Sequence, residues 1–522
     1  MRKLFTDRKL LLIFGVALVL RVLFLAIGAK VYYGANQRDI FTNGDTHSFV
    51  WAFENLWHYG RYTFDFLEPD AAFGRLPGYP FFYGLHYLIF GPERASLATA
   101  CTQVVLDSCS ALLIFSILQR LVPVGKGPDG RSWAPYVGAA LYATYPFAIV
   151  WVSIVGTETM ATFLALAWLA WLLRPARSAG HFVVLGLLLA AGFYVREYLG
   201  ILVPISGLYV VFAYLRPALP LEPGSTPDHN RARSAPGLLA ALLLLGGTFG
   251  ALYALWPIRN YASFHRVMLI KPPTAGYANY NADFAGFRGW VMGWAPDEQK
   301  WLDQVAYSPT TEFPAAIFAS SAEAAEARRG AQLAHACGSS FYLYREKIYA
   351  SPRYRNVALM RANRAYQQNC NSEIKAIFDR LRASYIRRNP VRYWVNVPVQ
   401  NLRKALFKSN KNAQATGAPT GGAKTLLIRG LFAYRTLLLL LGLAGAVVYW
   451  RNARLWPGVT FAAFMYLFIC FLMRNLEMRY LLQADAMLLL PAALLLAGLA
   501  GRVLRGRPAP AGAGTASALA VR

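Results

Sequence analysis

Asp45 lies in the run Asn43-Gly44-Asp45-Thr46-His47, and it is the acid in this chain best placed to do chemistry. Few other polar residues sit at comparable positions beside apolar runs. They are His47, Arg75, Glu158, Arg196, Glu197, Arg259, Arg474, Glu477 and Arg479, with Tyr79 in a Pro-containing turn just after Arg75. A carboxylate can take the proton of an attacking hydroxyl. Guanidinium forks match the oxygens of a phosphate or diphosphate. One or two acids among several arginines therefore suit transfer from a phosphate-linked donor to an alcohol. His47 has no second His at a useful spacing and no Cys/His cluster occurs, so no metal site or cofactor is expected.

These residues must be positioned by membrane helices. The chain has 522 residues, 56% hydrophobic and only 15% charged, against about 45–50% and about 25% in soluble domains. Apolar runs at Leu10–Ile27, Leu238–Leu255, Leu431–Val448 and Leu481–Ala500 approach the ~20 residues needed to cross a bilayer. Lys3, Arg8 and Lys9 precede the first run without a clean small-residue cleavage site after it, so it reads as a retained signal-anchor. A net charge of +27 would point a soluble protein toward nucleic acid. Here it follows the positive-inside rule, and no nucleic-acid partner is expected. Six short basic loops, Arg2–Lys9, Arg120–Arg131, Arg174–Arg177, Arg216–Arg233, Arg451–Arg454 and Arg502–Arg507, assign to the cytoplasm. The expected fold is an all-α polytopic bundle of about ten spans with both termini inside.

Residues 1–256 read as an N-terminal transmembrane catalytic module whose first outer loop, 30–94, is dense in aromatics that suit interfacial helices. In that loop Gly74-Arg75-Leu76-Pro77-Gly78-Tyr79-Pro80 predicts a turn. Spans two to four fall near Ser96–Leu118, Tyr136–Val152 and Thr157–Leu173. The apolar stretch His181–Leu215 is too long for one crossing and predicts a break near Arg196. Residues 257–424 read as an extracytoplasmic loop domain with helical pieces at Ser320–Ala336 and Val357–Ile386, ending in the connector Ser409–Lys424. Residues 425–507 supply the last helices, and 508–522 form a low-complexity, disordered tail. Cys101, Cys109 and Cys470 lie in apolar runs. Cys337 and Cys370 lie in the outer segment, where a disulfide between them is open.

Each candidate also has a structural reading. Asp45 can cap an interfacial helix, and Arg75 can snorkel to headgroups. Glu158 can be the first-turn acid of its span, Arg196 and Glu197 can pair, Arg259 can be an interface anchor beside Trp256, and Glu477 can pair with Arg479 or Arg474.

Taken together, the motifs resemble the GT-C superfamily of integral membrane glycosyltransferases, nearest the branch of protein O-mannosyltransferases and bacterial lipid A aminoarabinose transferases. Asp45 after the first span resembles that family's catalytic Asp. Arg75 before Leu76-Pro77-Gly78-Tyr79-Pro80 resembles the basic residue preceding its Pro-containing turn. Trp256-Pro257-Ile258-Arg259-Asn260-Tyr261 resembles a "PW-x-x-RN-Y" run, with Leu255 in place of its proline, and Glu477-Met478-Arg479-Tyr480 resembles a late "E-x-RY" run. The protein O-mannosyltransferases carry Asp-Glu where this chain has Asp45-Thr46. The resemblance implies inverting transfer of a sugar from a polyprenyl-phosphate donor to a lipid, glycan or protein hydroxyl, without a metal. It makes Asp45 the general base and gives Glu158 a positioning role. Arg75, Arg259 and Arg479, with Arg196, His47 and Tyr79, become donor-phosphate or substrate contacts. The expected location is a bacterial inner membrane with the site facing outward. A lipid-linked sugar flippase and a ligase using a diphosphate-linked glycan are the competing readings. The absence of an internal repeat and the gathering of polar residues at one face weigh against a transporter.

Overall fold

The computed structural model describes residues 7–33, 39–43, 45–66, 69–122, 132–175, 178–215, 237–271, 282–295, 298–308, 310–336, 340–345, 370–407, 422–474 and 476–505. Among them there is no strand. Seven helices are long and apolar enough to cross a membrane: α1 (Arg8–Tyr33), α4 (Pro92–Leu121), α9 (Glu197–Leu215), α10 (Leu238–Phe264), α16 (Gly422–Val448, apolar from Arg429), α17 (Trp456–Met473) and α18 (Met478–Arg505, apolar to Gly501). α7 (Thr157–Leu172) and α8 (Ala179–Val195) are apolar but shorter. The stretch expected as a third span is not one helix. It is α5 (Ala134–Ala143), then a break at Thr144-Tyr145, then the single turn α6 (Pro146–Ile149). Pro146 explains the break, because its ring disfavours a helical Tyr145, which is extended here.

The ends of these helices are set locally. Asp7 opens α1 by accepting from the backbone N–H groups of Lys9 and Leu10 at 3.0 and 3.2 Å. α4 opens on Pro92, whose missing N–H costs nothing in a first turn. α10 continues past Pro257 to Phe264, two turns beyond its expected end. A proline removes one intrahelical bond, and here buried Trp256 and Asn260 hold the helix on either side of it. In the same way Gly78 and Pro80 do not extend the Arg75 turn but form the first turn of α3 (Gly78–Phe90). α16 starts at Gly422, inside the expected connector. Residues 408–421, the tail 508–522 and Cys337 lie outside the described residues. Cys370 is buried at the start of a helix of the outer domain.

α4 and α18 are the most buried spans and form the centre of the bundle; α1 and α10 face outward along most of their length. α18 packs on α16 so closely that a methyl at Gly445 would meet the Pro491 carbonyl oxygen at 2.2 Å, the small-residue approach typical of helices in lipid. Two ion pairs are wholly buried in this bundle. Arg21 of α1 meets Asp107 of α4 at 2.5 Å, and Arg21 also donates to the carbonyls of Tyr142 and Ala143 at the end of α5. Arg435 of α16 meets Asp485 of α18 at 2.7 Å, with Tyr145 and Tyr466 donating to the same carboxylate.

The outer segment has its own apolar core between α11 (Ala282–Val291), α12 (Glu298–Tyr307), α13 (Ser321–Ala336) and α14 (Asn371–Arg388), built on Phe287, Trp290, Phe378 and Leu381. It returns to the bundle through α15 (Val397–Phe407), which packs on the outer end of α17.

Candidate active site

The loop after α1 is pinned before it reaches Asp45. The Val155 N–H donates to the Phe41 carbonyl at 2.7 Å, and the Thr46 hydroxyl donates to the Val155 carbonyl at 2.8 Å. These bonds clip residues 41–46 to the short link that opens α7. Asp45 then stands at the N-cap position of α2 (Thr46–Tyr59), yet its carboxylate makes no capping bond. Asn43 does that work, accepting from the N–H groups of Asp45 and Thr46 at 3.0 and 3.1 Å. The Asp45 carboxylate instead bridges two arginines from opposite ends of the chain. Oδ1 meets Arg75 Nη2 at 2.9 Å and Oδ2 meets Arg479 Nη2 at 2.6 Å.

Each arginine is held in turn. Arg75 donates from Nε to the Ser48 hydroxyl at 2.6 Å, that hydroxyl donates to the Asp45 carbonyl, and the guanidinium lies 4.4 Å from the Phe49 ring. α3 keeps Arg75 close by packing Gly78 directly on the Tyr194 backbone, leaving 2.7 Å where a Cβ would stand. Arg479, in the first turn of α18, meets Glu477 at 2.5 Å and Glu158 at 3.8 Å besides Asp45. Glu158 is buried in the first turn of α7 and takes Arg196 Nη2 at 2.8 Å. Arg196 has an extended backbone at the break between α8 and α9, which turns its side chain back toward Thr157 and Glu158.

The cluster also contains a residue that sequence reasoning missed. Lys271 pairs with Glu197, and its charge reaches Asp45, Arg75 and Arg196. Nothing in the local sequence marks Lys271, which lies in the long polar segment just past α10. Burial by itself would raise the Asp45 carboxyl, but Arg479, Arg75, Arg196 and Lys271 together outweigh it and hold the group well below the usual carboxylate range. Lys271 moves down from its ordinary value, because burial and the neighbouring arginines outweigh Glu197.

Other candidates stand apart from this cluster. Arg259 donates to the carbonyls of Ala72 and Tyr62, both at 2.9 Å, and lies over the Tyr62, Trp256 and Phe264 rings, bracing the first outer loop. Tyr79 is fully buried and donates to Gln103, whose amide donates to the carbonyls of Val152 and Ile154. It thus supports the link that carries Glu158. His47 stacks on Trp51 one turn along α2, with ring centroids 4.9 Å apart. Arg474 lies over Tyr393 at 4.1 Å and donates to the Met292 carbonyl, joining the outer domain to the bundle. The Arg196–Glu197 pairing considered from sequence does not form, since each takes a different partner. Among the described residues no group of three or more His, Cys, Asp or Glu side chains could hold a metal ion.

Fold and site together define a polytopic helical membrane protein with a carboxylate–guanidinium cluster at one end of its bundle. No protein-family model and no curated protein sequence matches the chain. Among solved structures it is similar to the archaeal oligosaccharyltransferase AglB from Archaeoglobus fulgidus in complex with an inhibitory peptide and a dolichol-phosphate, at 12% identity and a TM-score of 0.43, covering 93% of this chain and 50% of that one. An Archaeoglobus fulgidus oligosaccharyltransferase tethered to an acceptor peptide is similar at 13% identity and a TM-score of 0.33, covering 84% and 58%. The chain therefore spans about half the length of the solved proteins it matches.

Proposed function

We propose that this protein is a membrane glycosyltransferase of the GT-C type that moves a sugar from a polyprenyl-phosphate donor to an acceptor hydroxyl, with Asp45 as general base. One observation carries the reading: the Asp45 carboxylate is relieved of capping by Asn43 and held between Arg75 and Arg479. An acid kept ionised beside convergent guanidinium groups at a membrane boundary can serve both halves of the transfer.

In this mechanism the donor phosphate draws Arg75 and Arg479 toward its oxygens. Asp45 loses part of its cationic shell and becomes a stronger base. The acceptor hydroxyl passes its proton to Asp45 as its oxygen attacks the anomeric carbon. The bond from that carbon to the phosphate oxygen breaks on the opposite face, and the arginines receive the charge of the departing polyprenyl phosphate. The sugar is inverted. Glu158 acts as a positioning residue through Arg196 and Arg479, and Arg259 acts by bracing the loop that carries Arg75.

Charge balance supports a monophosphate donor over a diphosphate. Arg75, Arg196, Lys271 and Arg479 face Asp45, Glu158, Glu197 and Glu477, four cations against four carboxylates among the described residues. A phosphodiester adds one negative charge beside these matched groups, whereas a diphosphate adds two. The test is Asp45→Asn in the purified protein with a radiolabelled polyprenyl-phosphate sugar. Transfer should fall by about 10²–10⁴-fold, the usual worth of a general base, while donor retention and thermal stability stay near wild type. An Asp45→Asn protein with full transfer activity overturns the reading, and donor flipping in liposomes without transfer would favour a flippase.

A further inference from the structure

The end of the bundle opposite Asp45 holds a second charged cleft. It lies where α7 ends, α8 begins, α9 ends and the link from α16 to α17 passes, and it is partly open to solvent. Its floor and walls are apolar, formed by Leu172, Leu173, Phe182 and Val210, with the Tyr209 and Tyr214 side chains beside them. Arg174, Arg454 and His181 supply the polar lining, and no carboxylate belongs to the lining among the described residues.

The arginines here divide into two kinds. Arg454 donates to the Arg120 carbonyl at 2.8 Å, and Arg120 donates to the Ala170 carbonyl, so each serves the open end of a helix. Arg174 does neither. The centre of its guanidinium lies over the Trp171 ring, 3.6 Å from the centroid, and the Trp171 indole N–H donates to the His181 carbonyl. Stacking leaves the edge of a guanidinium, where its donors point, available to a ligand. Arg174 and Arg120 also lie near enough for their charges to repel. Like charges gathered beside an apolar wall, at a level where helix ends meet a membrane surface, fit the phosphate of a lipid better than a protein carboxylate. The lipid-facing side of α9 continues the apolar wall, with Leu208 and Leu215 exposed to 72% and 70%.

We propose that this cleft binds the phosphate headgroup of an anionic glycerophospholipid, gripped by Arg174 with the acyl chains lying along α9. The proposal is independent of the chemistry assigned to Asp45.

The experiment is native mass spectrometry of the full chain released from nanodiscs of phosphatidylcholine containing phosphatidylglycerol. Wild type should retain phosphatidylglycerol over phosphatidylcholine. Arg174→Gln should reduce that retention several-fold, as expected for loss of charge-assisted bonds. Arg174→Lys should keep most of it, and Arg451→Gln, outside the cleft, should leave it unchanged. Because the Arg174 guanidinium stacks on Trp171 and caps no helix end, the Arg174→Gln variant should elute as a folded monodisperse protein, so a change in its lipid retention reports on the cleft itself. Equal retention by wild type and Arg174→Gln overturns the proposal, as does equal retention of phosphatidylcholine. Displacement of the lipid by inorganic phosphate, with phosphate alone then bound, overturns the lipid assignment in favour of a free-phosphate site.

Discussion

Asp45 is acidic enough in this setting to stay ionised, and that has a measurable consequence. A carboxyl whose folded-state value is depressed contributes stability above its unfolded value of about 3.9 and loses it only as pH falls through the folded value. The Asp45 bridge should therefore add no pH dependence to stability between about pH 5 and 8. The same shift governs the rate. The acid limb of kcat/KM reports the free enzyme, so the wild-type profile should show no limb from Asp45 in that range. Removing its strongest cationic neighbour reverses this. Arg479→Gln leaves burial to raise Asp45 against fewer opposing charges, and an acid limb should enter the kcat/KM profile from the low-pH side. A pH profile of the variant that stays flat to about pH 5 would speak against Asp45 as the titrating base. The contrast with Arg259 is instructive. Both arginines lie beside aromatic rings, but Arg259 is spent on backbone carbonyls, and Arg479 is spent on carboxylates.

Among the elements, the buried Arg21–Asp107 pair joins α1 to α4, and Arg21 also donates to two carbonyls where α5 stops. Breaking a buried pair by removing one partner leaves the other charged and unpaired, at about 3–5 kcal/mol. Asp107→Leu should thus lower the thermal midpoint in detergent sharply, and Arg21→Leu with Asp107→Leu should recover much of the loss. Recovery should be incomplete, because the Ala143 carbonyl loses its Arg21 donor and the Tyr142 hydroxyl loses its Asp107 acceptor. Equal midpoints for the single and double variants would contradict this account. These pairs also mark the limit of what the sequence discloses. The apolar runs were legible because length and hydropathy alone set them; Asp45, Glu158 and Arg479 were legible because they stand near the ends of such runs, and Arg75 because it opens a Gly- and Pro-rich turn. Arg21, Asp107, Arg435 and Asp485 each sit singly inside an apolar run, 86 and 50 residues from their partners, and no local pattern pairs them. Lys271 was hidden for the opposite reason, being one cation in a long segment full of them. Tyr79 and Arg259 were visible as motif residues, but whether a hydroxyl or guanidinium faces a ligand or a carbonyl depends on tertiary packing.

At the level of the whole molecule, the carboxylate cluster and the arginine cleft occupy opposite ends of one bundle, so they sample different sides of a membrane. Impermeant maleimide applied to intact cells should label a cysteine placed at the exposed Trp57, near the Asp45 end, and should spare one at Trp450, near the cleft, in a background lacking the native cysteines. The reverse pattern would invert the orientation and place the transfer reaction on the other side. The bridge across Asp45 carries one more implication, for biogenesis. Asp45 and Glu158 emerge early during synthesis, but Arg479, which ties them together, belongs to the last described span. Until α18 enters the membrane, the early carboxylates have Arg75, Arg196 and Lys271 beside them but lack Arg479, and the site is incomplete. On the proposed mechanism a nascent chain gains its chemistry in a single late event, and a ribosome that stalls before α18 leaves behind an inserted but inert protein rather than a partly active one.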